Sequence, residues 1–171
     1  MREQIDRFEV GFDRLLTFLA ALVAISIALI AVGIPLNLLL VKMQWGSIWW
    51  MYEAVEYALY VGVFIGAPWV LRQGAHVRVD VVTAALPSNL SVWLEQALDV
   101  AGALLSLLLC FYGLRAAISE FEDGTLPDKD LRIANWYMLA VFALSFLLLA
   151  IEFLLRMRRA GDEAGSSKAG F

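Results

Sequence analysis

The chain has 171 residues, of which 61% are hydrophobic and 18% charged, and its mean hydropathy is +0.74. Water-soluble domains hold about 45–50% apolar residues, so an ordinary soluble fold is excluded and an integral membrane protein is indicated. The formal net charge of −4 identifies no partner, because the charges are confined to loops and helix ends, and no basic stripe exists to bind nucleic acid.

The first apolar run, residues 15–41, carries no charge and exceeds the roughly 20 residues that cross a bilayer. It is too long for the apolar region of a cleaved signal peptide, and Arg14 just before it fits an uncleaved anchor. Gly33 and Pro35 fall near its far end, where proline removes a backbone donor and is expected to kink the helix. A second span, 49–71, opens with the interfacial belt Trp49-Trp50-Met51-Tyr52 and carries Glu53 and Glu56 in its first turns. The third, 90–118, has Trp93, Glu95 and Asp99 near its start and Arg115 near its end; the fourth, 136–155, runs from Trp136 past Glu152.

Four spans put both termini on one side, and the basic residues choose that side. Arg2, Arg7 and Arg14, then Arg72 and Arg78, then Arg156, Arg158, Arg159 and Lys168 all flank the terminal side, against Lys42, Lys129 and Arg132 opposite. The fold expected is an all-α integral membrane protein with four transmembrane helices and both termini cytoplasmic. Residues 1–160 form one domain, and the Gly- and Ser-rich tail 161–171 is expected to be disordered. Between spans two and three, Val77-Arg78-Val79-Asp80-Val81 alternates like a strand, while Val77, Val81, Ala84 and Ala85 also fit one face of a short helix. An open strand edge cannot face lipid, so an interfacial helix is favoured if this segment touches the bilayer.

Ionisable groups are costly at the bilayer centre, and here nearly all sit within about two turns of a helix end. Glu53 and Arg115 match in depth at one face, as do Arg14 and Glu152 at the other, so each couple is a candidate interhelix ion pair; the alternative is that each side chain snorkels separately to the interface. Gly62 and Gly66 are spaced as GxxxG, and Gly102, Ser106 and Cys110 recur every fourth residue, patterns that suit close helix packing within the chain or against a partner. Cys110 is alone and cannot form an internal disulfide. The single histidine, His76, excludes a bis-histidine haem and lacks neighbours for a zinc site; hydrogen bonding to local backbone is its simpler role. No nucleophile–base constellation and no phosphate-binding glycine loop is present, so the chain reads as no enzyme, with no catalytic, metal, cofactor or substrate-binding residue expected.

The Trp-rich start of span two, Glu53, Tyr57, Gly66-Ala67, Leu71-Arg72, Gly74 and His76-Val77-Arg78-Val79-Asp80, followed after a short loop by a further span, resembles the small membrane subunit of the tripartite ATP-independent periplasmic (TRAP) transporters, the DctQ family. The resemblance runs over 15–155, with one departure: Ala134-Asn135 precede Trp136 where the family often has proline. It implies a small permease subunit in a bacterial inner membrane, partnered by a large multi-span permease subunit and a periplasmic solute-binding protein and surrounded by membrane lipid. It implies sodium-coupled uptake of an organic anion, with the substrate sites in the large subunit and this chain acting as a scaffold. Glu53, Gly66, Arg72, Gly74, His76, Arg78 and Asp80 are then structural signature positions rather than catalytic ones. Two other functions compete. A small four-helix exporter needs a membrane-embedded carboxylate, typically deep in span one, yet 15–41 has none, so Glu53 or Glu56 would have to serve. An anchor or assembly subunit of another membrane complex needs no site of its own. The acidic loop 120–130 fits either contact with the binding protein or simple solvation.

Overall fold

The computed structural model describes residues 2–73, 88–124, 126–127, 129 and 131–168, and the side chains of these except 2–3, 88–92 and 160–168. Among the described residues the regular elements are helices: α1 (Arg2–Lys42), α2 (Met51–Arg72), α3 (Ser88–Asp123) and α4 (Asn135–Lys168). All four contain segments long and apolar enough to cross a membrane. The expected interfacial helix falls within 74–87 and so lies outside the described residues.

Three of the helices, α1, α3 and α4, overrun the apolar runs that announced them, because nothing in the flanking polar turns breaks them, whereas α2 keeps close to its run. α1 starts at Arg2 and continues through Pro35 to Lys42. α4 continues to Lys168, taking in most of the segment 161–171 that composition assigns to disorder. Arg, Met, Ala and Glu dominate 156–164, and their good helix propensity carries α4 across Gly161.

The principal packing pairs are α3 on α4, α4 on α2, and α2 on α1. α4 is therefore central and α1 peripheral: 39% of the apolar window of α4 is buried inside the protein, against 6% for α1. Three contacts fix each seam. Between antiparallel α1 and α2, Gly33 meets Met51, Val23 meets Gly62, and Asp13 meets Arg72. Between antiparallel α3 and α4, Gly113 lies under Phe142, Gly102 under Phe153, and Asp99 beside Arg156. A Cβ on Gly102 would lie 2.6 Å from Phe153 Cζ, and one on Gly113 would lie 2.7 Å from Phe142 Cδ1, so both must remain glycine for these rings to seat.

The parallel α2–α4 seam is aromatic, with Phe64 against Tyr60, Phe142 and Phe146. It also answers a backbone deficit. Pro68 inside α2 has no N–H, which leaves the Phe64 carbonyl without its helical donor. Ser145 of α4, fully buried, donates its hydroxyl to that carbonyl, which is the kind of repair a proline-containing span requires in lipid.

Where α1 reaches α4, near the end that carries both termini, Phe12 and Leu16 pack against Leu148 and Leu155, with Leu19, Trp69 and Ile151 alongside.

Candidate functional site

Interleaved with that apolar cluster, and running on toward the termini, lies a layer of paired charges. Glu152 of α4 is fully buried, and an isolated carboxylate in that position would be prohibitively expensive. It is held by two guanidinium groups: Arg159 Nη2, one and a half to two turns along α4, donates to Oε1, and Arg72 Nη1 of α2 lies 3.6 Å from Oε2. The second distance makes an ion pair without a hydrogen bond. Arg72 also places Nε 2.8 Å from Asp13 Oδ1 of α1, so this one side chain links three helices. Arg159 Nε lies 3.3 Å from Glu9, and Arg158 Nη2 donates to Asp6 at 2.6 Å. Arg156 Nε is 3.3 Å from the buried Asp99, which brings in α3. The layer therefore joins all four helices at the terminal end.

The opposite, distal end is held differently. Glu53 of α2 accepts the Leu131 N–H from the α3–α4 connection, and Tyr57 donates its hydroxyl to Leu131 O at 3.4 Å. Lys129 donates to both carboxylate oxygens of Glu56 at 2.7 and 2.8 Å and lies 5.2 Å from the Tyr57 ring centroid. That hydrogen bond to Glu56, more than any other influence, raises the Lys129 ammonium above the ordinary lysine pKa. On the other hairpin, Asn37 is buried in the last turns of α1 and its Oδ1 accepts the Ile48 N–H at 2.8 Å, tying the α1–α2 loop back onto the helix. Trp136 stacks on Tyr137 and meets Phe121 edge-on at 5.5 Å, forming an aromatic girdle at this level.

Sequence reasoning matched charges by depth, and the structure pairs them otherwise. Glu53 binds the Leu131 backbone rather than Arg115, which is exposed on α3 with α4 lying between the two helices. Glu152 takes Arg72 and Arg159 rather than Arg14, which is exposed on α1. Asp13, adjacent in sequence to Arg14, meets Arg72 instead, because one residue is a rotation of about 100° around a helix. Gly66 lines a groove between α1 and α2, about 680 Å³ in volume, and a Cβ there would meet nothing within 4 Å; Gly62 is the closer contact, against Val23. Gly74, His76, Arg78 and Asp80 lie outside the described residues. Asp13, Glu9, Arg159, Asp99, Asn37 and Ser145 went unnoticed as linking residues. Only Ser145 had a sequence signal, the proline at position 68 that strands a carbonyl in a neighbouring span.

Chemically, this arrangement fixes helices and loops. Among the described residues, no group of three or more His, Cys, Asp or Glu side chains could hold a metal ion. The family model for tripartite ATP-independent periplasmic transporters, DctQ component, matches residues 43–161, which takes in α2, α3 and the spanning part of α4. No curated protein matches the chain.

Proposed function

The chain belongs to the DctQ family of TRAP transporter components, and from that premise we propose that this small permease subunit serves as a fixed scaffold in the bacterial inner membrane. It braces a large multi-span permease subunit, which carries out sodium-coupled uptake of an organic anion handed over by a periplasmic binding protein. One observation supports this reading above the others: the buried charge layer, centred on Arg72 and Glu152, ties all four helices to one another. Buried charges that pair with one another across helices within the chain hold those helices together.

Orientation follows from the basic residues. Arg72, Arg156, Arg158 and Arg159 lie at the terminal end, so the termini are cytoplasmic and the Glu53–Leu131 clamp faces the periplasm. Residues 1–160 act as one domain. On this reading the signature positions Glu53, Gly66, Arg72, Gly74, His76, Arg78 and Asp80 shape the subunit and contact no substrate.

The test is reconstituted transport. Liposomes holding the large subunit with its binding protein should accumulate the organic anion down a sodium gradient only when this chain is present, and liposomes holding this chain alone should move nothing. Proton-coupled flux by the chain alone, abolished by Glu53→Ala or Glu56→Ala, would instead establish a small exporter.

A further inference from the structure

We propose that the face of α3 turned away from α4 is the docking surface for the large permease subunit, and that Arg115 pairs there with an acidic side chain of that partner. The inference rests on the subunit reading above and adds a location and a chemistry to it.

The seam toward α4 is set by Gly102, Ser106, Gly113 and Ala117. Arg115 stands nine residues from Ser106, two and a half turns at about 3.6 residues per turn, which puts it on the opposite side of the helix. Its surroundings there are large and exposed: Leu104, Leu108, Phe111, Tyr112 and Ile118. In the register fixed by Gly113–Phe142 and Gly102–Phe153, Arg115 lies level with Ala140. That is about 6 Å on the apolar side of the Trp136 girdle, at 1.5 Å per residue.

Among the described residues no acid of this chain meets it. The residues one turn away on α3 are Phe111, Tyr112, Ile118 and Ser119, α4 is behind it, and among the described residues no ion pair includes Arg115. The exposed flank of α1 is the instructive contrast. From 15 to 41 it is charge-free, and lipid tails cover such a surface without penalty. A guanidinium inside the apolar zone is different, since it must either reach back to the interface or pair with an acid that faces it. Arginine flanked by aromatic rings is also the composition that concentrates binding energy at protein interfaces, and Phe111 and Tyr112 form an exposed edge-to-face pair beside it. Lipid phosphates are the other anions near this depth, and the experiment separates them from a protein carboxylate.

The full chain, tagged and co-expressed with its large subunit, would carry a photo-crosslinking residue at Leu108 or, on the exposed flank of α1, at Val32. Expected are crosslinks to the large subunit from position 108 and to lipid from position 32. Arg115→Glu should lower the large subunit retained in mild detergent about tenfold or more, with membrane insertion of the chain unchanged. Arg115→Lys should retain most of it, and an acid-to-lysine change at the partner position mapped by the crosslink should restore retention to Arg115→Glu. Wild-type retention by Arg115→Glu, with lipid-only crosslinks from 108, overturns the proposal. Crosslinks to the large subunit from 32 alone also overturn it and leave the scaffold reading standing. A wild-type chain that retains no large subunit removes both.

Discussion

The two ends of the molecule are built on different principles. At the terminal end, long charged side chains run from helix to helix, and Arg72 alone touches α1 and α4 from α2. At the distal end, side chains hold connections onto helix tips: Glu53 and Tyr57 take the backbone of Leu131, and Asn37 takes that of Ile48. Loss of a terminal-end residue should separate helices, whereas loss of a distal-end residue should free a loop.

The largest effect should come from Glu152→Ala. It leaves Arg72 and Arg159 facing each other across a buried gap, and breaking a buried pair costs about 3–5 kcal/mol. The lower end, about 3 kcal/mol, applies because Arg159 is partly exposed. Thermal unfolding of the purified chain in detergent reads this directly. Glu53→Gln at the distal end should cost less than about 1.5 kcal/mol, since the amide oxygen still accepts from Leu131. Equal losses at the two ends would break the comparison.

Between the ends, Ser145→Ala should cost about 1–3 kcal/mol by leaving the Phe64 carbonyl without a donor. In a Pro68→Ala background, where an alanine N–H restores the helical bond, the same change should cost much less, and a double-mutant cycle showing no coupling would refute the repair. Gly113→Val, which drives a side chain into Phe142, should cost about 1–3 kcal/mol and should loosen α3 from α4 without altering the distal loop.

The smallest effect concerns Lys129 and Glu56, which is largely exposed. The Lys129 pKa is raised in the folded protein, so the contribution of the pair is complete below the ordinary lysine value of 10.5 and is lost as pH rises through the raised one. The contribution of the pair is therefore fully present and insensitive to pH near neutrality, and stability should weaken slightly only at strongly alkaline pH, an effect that added salt diminishes.

The spans were legible because uninterrupted apolar runs have no other use at such length, and each of the four helices lies over one of the runs read from the sequence. The small-residue face of α3 was legible in part. Gly102 and Ser106 do face α4, but a strict four-residue step drifts around a 3.6-residue helix, and Gly113 rather than Cys110 continues the seam. The ion pairs were not legible, since a depth match says nothing about rotation around an all-apolar helix or about which helices are neighbours. Asp13 and Arg14 differ by one position and point to different surroundings; Glu53 and Arg115 share a depth and are separated by α4. The segment holding Gly74, His76, Arg78 and Asp80 gave the resemblance its most specific residues, and the family match over 43–161 bears that resemblance out.

The most direct test of the central claim, that the charge layer makes this subunit one unmoving body, is a distance measurement. Spin labels at Leu22 of α1 and Leu147 of α4, both exposed, would be placed in the transporter assembled with its large subunit. A single distance distribution, unchanged by sodium, substrate and binding protein, is the predicted result. A second population, or a shift when transport is driven, would contradict it and would make this chain a moving part.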